Sequence, residues 1–498
     1  MKETIYPQRS QVVEDIFSRE NRLDKILIIP LDHAKESHTV QFRLATGVYL
    51  LKKALTVYND QRGVDFLITQ IEKICKKHHI KKQNVAICCE DPHSYMVNFI
   101  HAVRLRGYRF ASVNATEASK YRSNTRASSD ELDLTGISQA VINRRAMDVE
   151  PVDELYTNLK YATRSRVKLI RNQTSIKNRI HKCVDILFPG FLCESNTGLT
   201  PFSEGCLWLL ENRFSVVKIK RMSPKYLLNG LKKHRVHNVP FVVDKVKSYA
   251  EKVLAPPAEI VAYQQKSLAG KVSLFRNIRA ELHREENEAV RYLLQTPGFY
   301  ILSIPGIATV YATNLIAEYG NPTKWRGADK MASYAGIASR QKQTGGEKRK
   351  TPTGQHLPRD CNRILKDYLL QAAQHTGTSL HPFRKISPSY DGSHTLQQHY
   401  QHVESIEGKS RLRNAKYLIK IIIKLVDEER FYFPEKHWLS PEFAPRNDDH
   451  ILLYQNTIQR VKDKLKGYDI SGIDPEKNYL YKEEQHLKDL IEFKNMNQ

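Results

Sequence analysis

The 498-residue sequence lacks a hydrophobic run long enough to cross a membrane. A spanning helix needs roughly 18 or more consecutive apolar residues, and the most apolar stretch, Tyr417 to Val426, is interrupted by Lys420 and Lys424. The first residues, MKETIYPQRSQ, contain neither an apolar core nor a small-residue cleavage site, so we expect no secretory signal. We therefore expect a cytoplasmic protein, with length enough for two to four domains at roughly 100 to 200 residues each.

Cysteine is scarce and unpatterned. The sequence contains seven cysteines, an odd number, and none of them is spaced as CxxC. This argues against a disulfide framework and against a zinc ribbon, since both depend on paired or regularly spaced thiols. We interpret the cysteines as buried thiols: Cys75, Cys88, Cys89, Cys183, Cys193, Cys206 and Cys361.

Acidic residues are too few to balance the basic ones. The chain has 78 Lys and Arg against 54 Asp and Glu, a formal net charge of +24. A polyanion is the expected partner, because phosphates neutralised by Lys and Arg release counterions and favour binding whatever the sequence. Nucleic acid is the leading candidate. A ribosome-associated or merely solubilising basic surface is the alternative.

The first 150 residues show a change of hydrophobic period. Three strand-like runs, KILIIPLD, SHTVQFRL and GVYLLKKALTVYN, are separated by short breaks that predict antiparallel pairing. Then follow a helix (VDFLITQIEKICKKHH), a buried strand (NVAICCE), a helix from about His93 to Leu105, a strand (YRFASVN) and a helix beginning near Asp130. This order is typical of an α/β RNase H-like mixed sheet. No GxGxxG motif follows the first strand, which disfavours a dinucleotide-binding fold.

The rest of the chain is predicted to be helical. Long, charged, glycine-poor amphipathic segments run from about Asp153 to Leu187 and from about Pro257 to Leu294, which suggests an antiparallel stalk with an insert at about 189–256. A compact helical segment begins near Gly298. We predict an RNase H-like domain at 20–150, the stalk at 151–295, a helical domain at 296–435 and a C-terminal tail at 436–498.

Four carboxylates are candidates for chemistry. Asp32 closes the first predicted strand, Glu90 closes the fourth, and Asp130 and Asp133 lie one turn apart at the start of a helix. Convergent carboxylates suit Mg²⁺, and two such ions can clamp the attacking and leaving oxygens of a phosphodiester. Taken singly, each residue could equally be a turn residue or a helix N-cap.

The sequence resembles the DEDD transposases of the insertion-sequence 110 family, which includes the pilin-gene invertases. LDHAKESHTV, CCEDPHSY, VNATEASKYR and SSDELDLTGIS are similar to the family's first conserved domain. SIPGIATVYATNLIAEYGNPTKW, MASYAGIASRQKQTGG and CNRILKDYLLQAA are similar to its second domain, in the same order. The resemblance covers about residues 25–426.

The resemblance implies a RuvC-like nuclease domain, a coiled-coil stalk and a helical transposase domain with a helix-hairpin-helix-like segment. It implies a metal-dependent DNA recombinase of a bacterial, nucleoid-associated kind, assembling as a homodimer or tetramer, with a noncoding guide RNA in characterised members. Asp32, Glu90, Asp130 and Asp133 would be the metal ligands. Lys35 matches the family lysine and could touch a phosphate, or could be a solvated turn lysine.

The second domain offers two further candidate motifs. Gly306, in PGIATVYATNLIAEYG, permits a tight turn before a helix whose free N–H groups could meet a phosphate, although a packing turn is an equally simple interpretation. Asn362 and Arg363 begin a later helix and could contact a nucleic-acid backbone, or lie on a solvated charged face.

A glycine-rich basic loop, SRQKQTGGEKRK, holds the main departure from the family. The family places its nucleophilic serine immediately before the glycine, and this chain has Thr344 there. Thr344 could be the nucleophile, Ser339 could replace it, or strand transfer could be lost while the carboxylate nuclease persists. The cationic side chains expected to bind phosphate around this loop are Arg340, Lys342, Lys348, Arg349 and Lys350.

Three functions follow from these observations. The first is a DEDD transposase or recombinase acting on DNA with Mg²⁺. The second is a metal-dependent, structure-specific nuclease of the junction-resolvase type. The third is a domesticated nucleic-acid-binding relative without strand transfer. Covalent protein–DNA adducts would separate the first from the second, and Mg²⁺-dependent cleavage would separate both from the third.

Overall fold

The computed structural model divides the chain into two compact units, Met1–Val152 and Asp153–Gln498. Each unit is considered by itself. The structure describes residues 10–90, 94–122, 130–148, 153–212, 214–322, 325, 327–338, 361–379, 409–432 and 448–496.

The first unit contains a mixed sheet. Its strands are β1 Leu27–His33, β2 Ser37–Val40, β3 Arg43–Leu44, β4 Leu55–Tyr58, β5 Val85–Glu90, β6 Arg109–Val113 and β7 Met147–Asp148. The strand order is β4-β2-β1-β5-β6-β7, with β3 also paired to β1. Strands β1, β2 and β4 pair antiparallel, whereas β1, β5 and β6 are parallel. The predicted mixed sheet is confirmed and fits an RNase H-like domain.

The third predicted strand is shorter than expected. Only Leu55–Tyr58 forms β4, and the preceding GVYLLKKA segment is largely a sequence of turns and bends. Gly47 adopts a φ of 96° in a tight turn, and Tyr49 makes only an isolated bridge to Arg43. The exposed Lys52 and Lys53 interrupt the apolar pattern that a buried strand would need.

Helices cover both faces of this sheet. They are α1 Gln11–Arg19, α2 Gln61–His78, α3 Val97–Leu105, α4 Ala115–Lys120 and α5 Asp130–Ile142. Because side chains alternate along a strand, Leu31 and Cys89 join the core beneath α2 and α3, while Ile28 and Cys88 join the core that includes residues of α1 and α5. The sequence patterns did not indicate α1, α4 or β7.

Two long helices run antiparallel in the second unit. These are α6 Glu154–Leu187 and, after the insert, a 36-residue helix at Ala258–Leu293. Ser165 Oγ donates to Glu285 at 2.7 Å and Arg166 Nε donates to Glu286 at 2.7 Å, which fixes the register of the pair. Both predicted long helices are confirmed.

The insert at about 189–256, whose fold could not be predicted from the sequence, is a helical module. It contains α7 Glu194–Thr197, α8 Glu204–Glu211, α9 Val216–Arg221, α10 Pro224–Lys233 and α11 Val239–Lys252, and the long helix that follows is α12. Phe188, Phe191 and Leu207 are fully buried or nearly so in its core. Ser203, Ser215 and Ser223 accept hydrogen bonds as the N-caps of α8, α9 and α10.

The remaining helices surround a second core. They are α13 Thr309–Tyr319, α14 Ala328–Tyr334, α15 Arg363–Ser379, α16 Lys409–Asp427, α17 Asp448–Leu465 and α18 Tyr479–Met496, preceded by a 3₁₀ segment at Pro297–Ser303. Val461, Leu465 and Leu480 of the predicted tail are buried in this same core. The helices of the predicted tail therefore pack into this core. The four domain boundaries predicted from the sequence remain predictions. None of the helices described is long and apolar enough to traverse a bilayer.

Gly136 in α5 provides a test of how tightly the first unit is packed. A Cβ at this position would lie 2.6 Å from the carbonyl oxygen of Ala118 in α4. We expect Gly136→Ala to lower the free energy of unfolding of this unit by about 1 to 3 kcal/mol, because overpacking outweighs the gain in helix propensity. Urea unfolding followed by circular dichroism measures this change.

Gly270 in α12 is the control, because a Cβ added there would have nothing within 4 Å. Gly270→Ala should raise stability by about 0.5 to 1 kcal/mol through helix propensity alone. A stabilising Gly136→Ala substitution would contradict the packing of α5 on α4.

Candidate active site

Two carboxylates extend from neighbouring parallel strands. Leu31 of β1 and Cys89 of β5 are in register, so Asp32 and Glu90 follow at the same edge of the sheet. Both side chains alternate onto the face that carries Ile28 and Cys88, which is the face covered by α5. Asp32 and Glu90 are half-buried. The strand ends thus present two acids toward the start of α5.

The other two carboxylates lie in the first turn of α5. Asp130 is exposed and Asp133 is half-buried, and the positive end of the helix dipole favours acids in this turn. Thr39 of β2, which pairs with Asp32 across the strands, donates its hydroxyl to Asp130 Oδ2 at 3.3 Å. Thr39 is a member of this cluster that sequence reasoning missed.

The four carboxylates influence one another electrostatically. The pKa of Asp32 is raised, first by burial and then by the negative charges of Asp130 and Asp133, with a smaller contribution from Glu90. His33 opposes this rise in pKa. The contacts agree with this: Thr39 lies opposite Asp32 and donates to Asp130, and Arg122 joins Glu90 to Asp133, so the four predicted residues lie near one another.

Arg122 supplies the positive charge in this cluster. Its Nη2 lies 2.6 Å from Glu90 Oε1, and its Nε lies 2.9 Å from Asp133 Oδ1. Both carboxylates and the guanidinium are largely shielded from solvent, with side-chain exposures of 22%, 20% and 31%. A single arginine therefore bridges the acid from β5 to an acid from α5.

The arginine reaches this position across a close helix contact. Gly136 lies one turn beyond Asp133, and a Cβ there would lie 3.0 Å from Arg122 Cγ. The missing side chain leaves room for α4 and for the stem of Arg122. The glycine in SSDELDLTGIS was the only sequence signal of this contact, and it does not identify the partner residue.

The donor set fits a hard divalent cation. Carboxylate oxygens are the ligands that Mg²⁺ and Mn²⁺ prefer. Asp133 Oδ1 is buried yet accepts no hydrogen bond, although the Arg122 charge lies beside it. Among the described residues, no three Asp, Glu, His or Cys side chains are arranged as a ready metal site. Binding of a cation thus requires the carboxylates, and Arg122 between them, to rearrange.

Lys35 lies in the turn between β1 and β2. The turn is closed by a hydrogen bond from Ala34 N to Ser37 O, and Lys35 O accepts a hydrogen bond from Asn59. The Lys35 side chain is exposed, three residues after Asp32. Its predicted contact with a phosphate stays a prediction.

In the second unit, the side chain of Asn362 forms hydrogen bonds within the protein. Its Nδ2 donates to Glu318 Oε2 at 2.6 Å, and its Oδ1 accepts from Leu365 N at 3.1 Å as the cap of α15. Arg164 of α6 binds both oxygens of Glu318, at 2.8 and 3.0 Å. Burial would raise the pKa of Glu318, but hydrogen bonds from Arg164 and Asn362 lower it overall. Arg363 is exposed.

This buried network joins three helices. Glu318 belongs to α13, Arg164 to the stalk helix α6, and Asn362 precedes α15. Asn362 N also donates to Tyr334 O at 3.3 Å, which ties the end of α14 to the start of α15. The atoms of Asn362 that were expected to reach a nucleic-acid backbone are thus engaged in holding the helices together.

Gly306 is a packing position. Its φ is 84°, and a Cβ there would lie 2.8 Å from the carbonyl oxygen of His375 in α15. The first residue of α13, Thr309, donates to the hydroxyl of Tyr468 at 2.8 Å. These contacts favour the packing interpretation of the PGI turn.

The remaining predicted residues lie outside the described part of the chain. They belong to the glycine-rich sequence at 339–350: Ser339, Arg340, Lys342, Thr344, Lys348, Arg349 and Lys350.

Two regions of the chain match models of known protein families. Residues 29–189, which include the sheet and its acids, match the DEDD domain of IS110 described as "Transposase". Residues 300–385 match the family described as "Transposase IS116/IS110/IS902 family". Both matches support an IS110-family transposase. The resemblance seen in the sequence motifs is thereby confirmed.

A curated relative of this chain is the "Insertion element IS110 uncharacterized 43.6 kDa protein" of Streptomyces coelicolor. The two are 23% identical over 227 residues, which is 45% of this chain and 54% of the relative. The chain therefore spans about half of the length of the curated relative that it matches.

Arg122 and a divalent cation should compete for Glu90 and Asp133. We expect Arg122→Gln to lower the unfolding free energy of the first unit by about 1 to 2 kcal/mol in metal-free buffer, because two shielded acids lose their cation. The same substitution should tighten Mn²⁺ binding, since no guanidinium has to be displaced. Urea unfolding and isothermal titration measure these two effects.

Arg109 provides a matched control, because its ion pair with Asp15, at 3.2 Å, lies on the surface. Arg109→Gln should change stability by less than about 1 kcal/mol and leave Mn²⁺ affinity unaltered. Weaker Mn²⁺ binding by Arg122→Gln than by the wild type would contradict the competition.

Proposed function

We propose that this protein is a metal-dependent DNA transposase, cutting and joining DNA strands by phosphoryl transfer. The observation that carries the proposal is the placement of Asp32, Glu90, Asp130 and Asp133 at one edge of an RNase H-like sheet, joined by the contacts of Thr39 and Arg122. The matches to IS110-family transposases support DNA as the substrate. The net charge of +24 supports a polyanionic partner.

Asp32, Glu90, Asp130 and Asp133 would hold the divalent metal, with Mg²⁺ the expected ion. When bound, the metal supplies charge stabilisation for the attacking and leaving oxygens of a phosphodiester. Thr39 orients Asp130 through its hydroxyl. Arg122 holds Glu90 and Asp133 together, and with a metal held by these acids its guanidinium would be available to a phosphate. Lys35, exposed beside the cluster, would bind a neighbouring phosphate.

The strand-transfer step would use a hydroxyl of the second unit. In this proposal Thr344 Oγ1 attacks phosphorus, a Thr–O–P bond forms, and the bond from phosphorus to one sugar oxygen breaks. The threonine proton passes to water or a nearby base, and the released sugar oxygen is protonated. Attack by a new sugar hydroxyl on the same phosphorus reverses these changes and releases Thr344. Arg340, Lys342, Lys348, Arg349 and Lys350 would bind the surrounding phosphates.

A guide RNA, a homo-oligomeric assembly and association with the bacterial nucleoid in the cytoplasm belong to the same proposal. They are suggested by family resemblance and by the basic composition. A structure-specific nuclease without covalent transfer is the second candidate function. One observation favours it: Thr344 stands where the family has serine, and its β-branch restricts the approach to phosphorus.

The carboxylate cluster can be tested by isosteric substitution. Asp32→Asn or Asp133→Asn should reduce Mg²⁺-dependent DNA cleavage by about a hundredfold or more, because removal of a ligand charge weakens metal binding. Affinity for DNA should persist, since the basic surface is intact. Cleavage of labelled DNA and gel-shift binding measure the two effects separately.

Glu131 is the matched control, because it is an exposed acid between Asp130 and Asp133 in the same helical turn. Glu131→Gln removes the same charge from α5 without removing a proposed ligand, and it should cleave at close to the wild-type rate. Equal cleavage by wild type, Asp32→Asn and Asp133→Asn at saturating Mg²⁺ would overturn the metal assignment.

The role of Thr344 can be tested by trapping. Denaturing gels should show a protein–DNA adduct that disappears in Thr344→Ala. Thr344→Ser should increase the adduct several-fold, because an unbranched hydroxyl reaches phosphorus with less crowding. Thr351→Ala, the same substitution at the residue that follows SRQKQTGGEKRK in the sequence, is the control and should retain the adduct.

Other outcomes separate the remaining alternatives. An adduct that survives in Thr344→Ala and disappears in Ser339→Ala would assign the nucleophile to Ser339. The absence of an adduct in both the wild type and Thr344→Ser, with cleavage intact, would favour the nuclease.

A further inference from the structure

The module at one end of the stalk contains a long stretch without acids. Eight Lys or Arg residues and no Asp or Glu occur between Glu211 and Asp244, although the whole chain has 54 acids in 498 residues. At that average, three or four acids would be expected in a stretch of this length. The stretch includes α9 and α10 and the connection into α11.

Six of these cations are exposed on the surface of the module. Leu227 and Leu231 of α10 face the core, which directs Lys225, Lys232 and Lys233 to solvent on the outer side. Lys225 and Lys232 are two turns apart, about 10 Å along the helix. The exposed set comprises Lys218, Arg221, Lys225, Lys232, Lys233 and Arg235, which we call the basic tip.

The cations of the basic tip are not neutralised by the protein. Nearby acids are used elsewhere: Arg276 of α12 pairs with both Glu204 and Glu211 at 2.6 Å. Glu251 lies 3.7 Å from Lys220. In the described part of the chain, none of the six tip cations forms an ion pair with a carboxylate. Their field is therefore directed into solvent.

The α10 helix of the basic tip packs closely against α8. A Cβ on Gly230 of α10 would lie 2.1 Å from the ring of Trp208 in α8, so the helix rests directly on the indole. The Tyr226 ring lies 5.8 Å from the same indole. Ser223 caps the start of α10 by accepting from Tyr226 N at 3.2 Å. The cations are thus displayed on a fixed scaffold, which limits the loss of backbone freedom on binding.

The tip lies well away from the helical core of the second unit. Along α6, buried residues occur at Leu159, Ala162 and Thr163 and then not again until Ile176. At 1.5 Å per residue this interval is about 20 Å. A ligand on the basic tip would therefore be separate from one bound beside α13 to α15.

We propose that the basic tip is a docking surface for the sugar–phosphate backbone of duplex DNA. This inference rests on the proposed function and adds a second DNA contact to it. Duplex DNA carries one negative charge per roughly 1.7 Å of axis, so a row of cations about 10 Å long meets several phosphates at once. The contact would position DNA without reading its sequence, because backbone contacts carry no base information.

Charge and shape favour this occupant over two others. A second copy of the same tip would bring like charges together, which is unfavourable. A membrane-binding helix needs a continuous exposed apolar face beside its cations, but Leu227 and Leu231 of α10 are buried and Tyr226, at 50% exposure, is a single aromatic side chain.

The test uses the full-length protein with Lys225, Lys232 and Lys233 all changed to Gln. A fluorescent DNA duplex is titrated between about 50 and 200 mM salt, and the slope of log K against log salt is compared with that of the wild type. We expect the slope to become shallower by about 2 to 3 units, since each lost phosphate contact contributes about 0.9. Circular dichroism verifies that the variant is folded.

Lys73, Lys76 and Lys77 on α2 are the matched control, because they are also three exposed lysines on a single helix. The same three changes there lower the net charge equally, and the slope should change by less than about 1 unit. Equal slopes for the tip variant and the wild type would overturn the proposal. Equal losses in tip and control variants would overturn it as well, since net charge alone would then explain them.

Two further measurements separate other occupants. If the tip substitutions weaken binding to duplex RNA or to anionic vesicles but leave DNA binding unchanged, DNA is the wrong occupant. The Asp32→Asn variant is titrated in parallel and should keep the wild-type slope. A protein that cleaves no DNA but shows the predicted tip-dependent slope would contradict the proposed function while supporting the docking surface.

Discussion

The proposed site in the first unit depends on how the repulsion between four neighbouring carboxylates is balanced. Parallel pairing of β1 and β5 places Asp32 and Glu90 at one edge of the sheet, and α5 adds Asp130 and Asp133. Asp32, Glu90 and Asp133 are partly shielded from water, so their negative charges repel one another unless a cation or a proton compensates them. In the protein alone, the guanidinium of Arg122 compensates the negative charges of Glu90 and Asp133. In the proposed reacting complex, a divalent metal would compensate more of the negative charge of the cluster.

The second unit uses buried charge for a different purpose. Glu318 is almost completely enclosed, with a side-chain exposure of 1%, and it is satisfied by Arg164 and Asn362. Loss of one partner would leave a buried charge uncompensated, so the network holds the stalk helix and the helical core in one arrangement. The hydrogen bond from Asn362 N to Tyr334 O joins the end of α14 to the start of α15 at this same place.

The sequence allowed the acids to be predicted because strand ends and helix starts are local patterns. Asp32 and Glu90 end apolar runs, and the i, i+3 spacing of Asp130 and Asp133 marks one helix face. Arg122 could not be predicted, since it contacts Glu90 across 32 residues through a fold-dependent approach of α4 to α5. The short helices of the insert had usable signals in their serine caps, whereas Val461 and Leu480 gave no sign that the tail joins a core.

The most direct test of this account is the position of Mn²⁺ in crystals of the wild-type protein, located by anomalous diffraction. The account predicts Mn²⁺ bound by Asp32, Glu90 and at least one of the α5 aspartates, with the Arg122 guanidinium displaced from Asp133. Crystals in which Mn²⁺ is absent from this cluster at saturating concentration, while Arg122 still bridges Glu90 and Asp133, would contradict it.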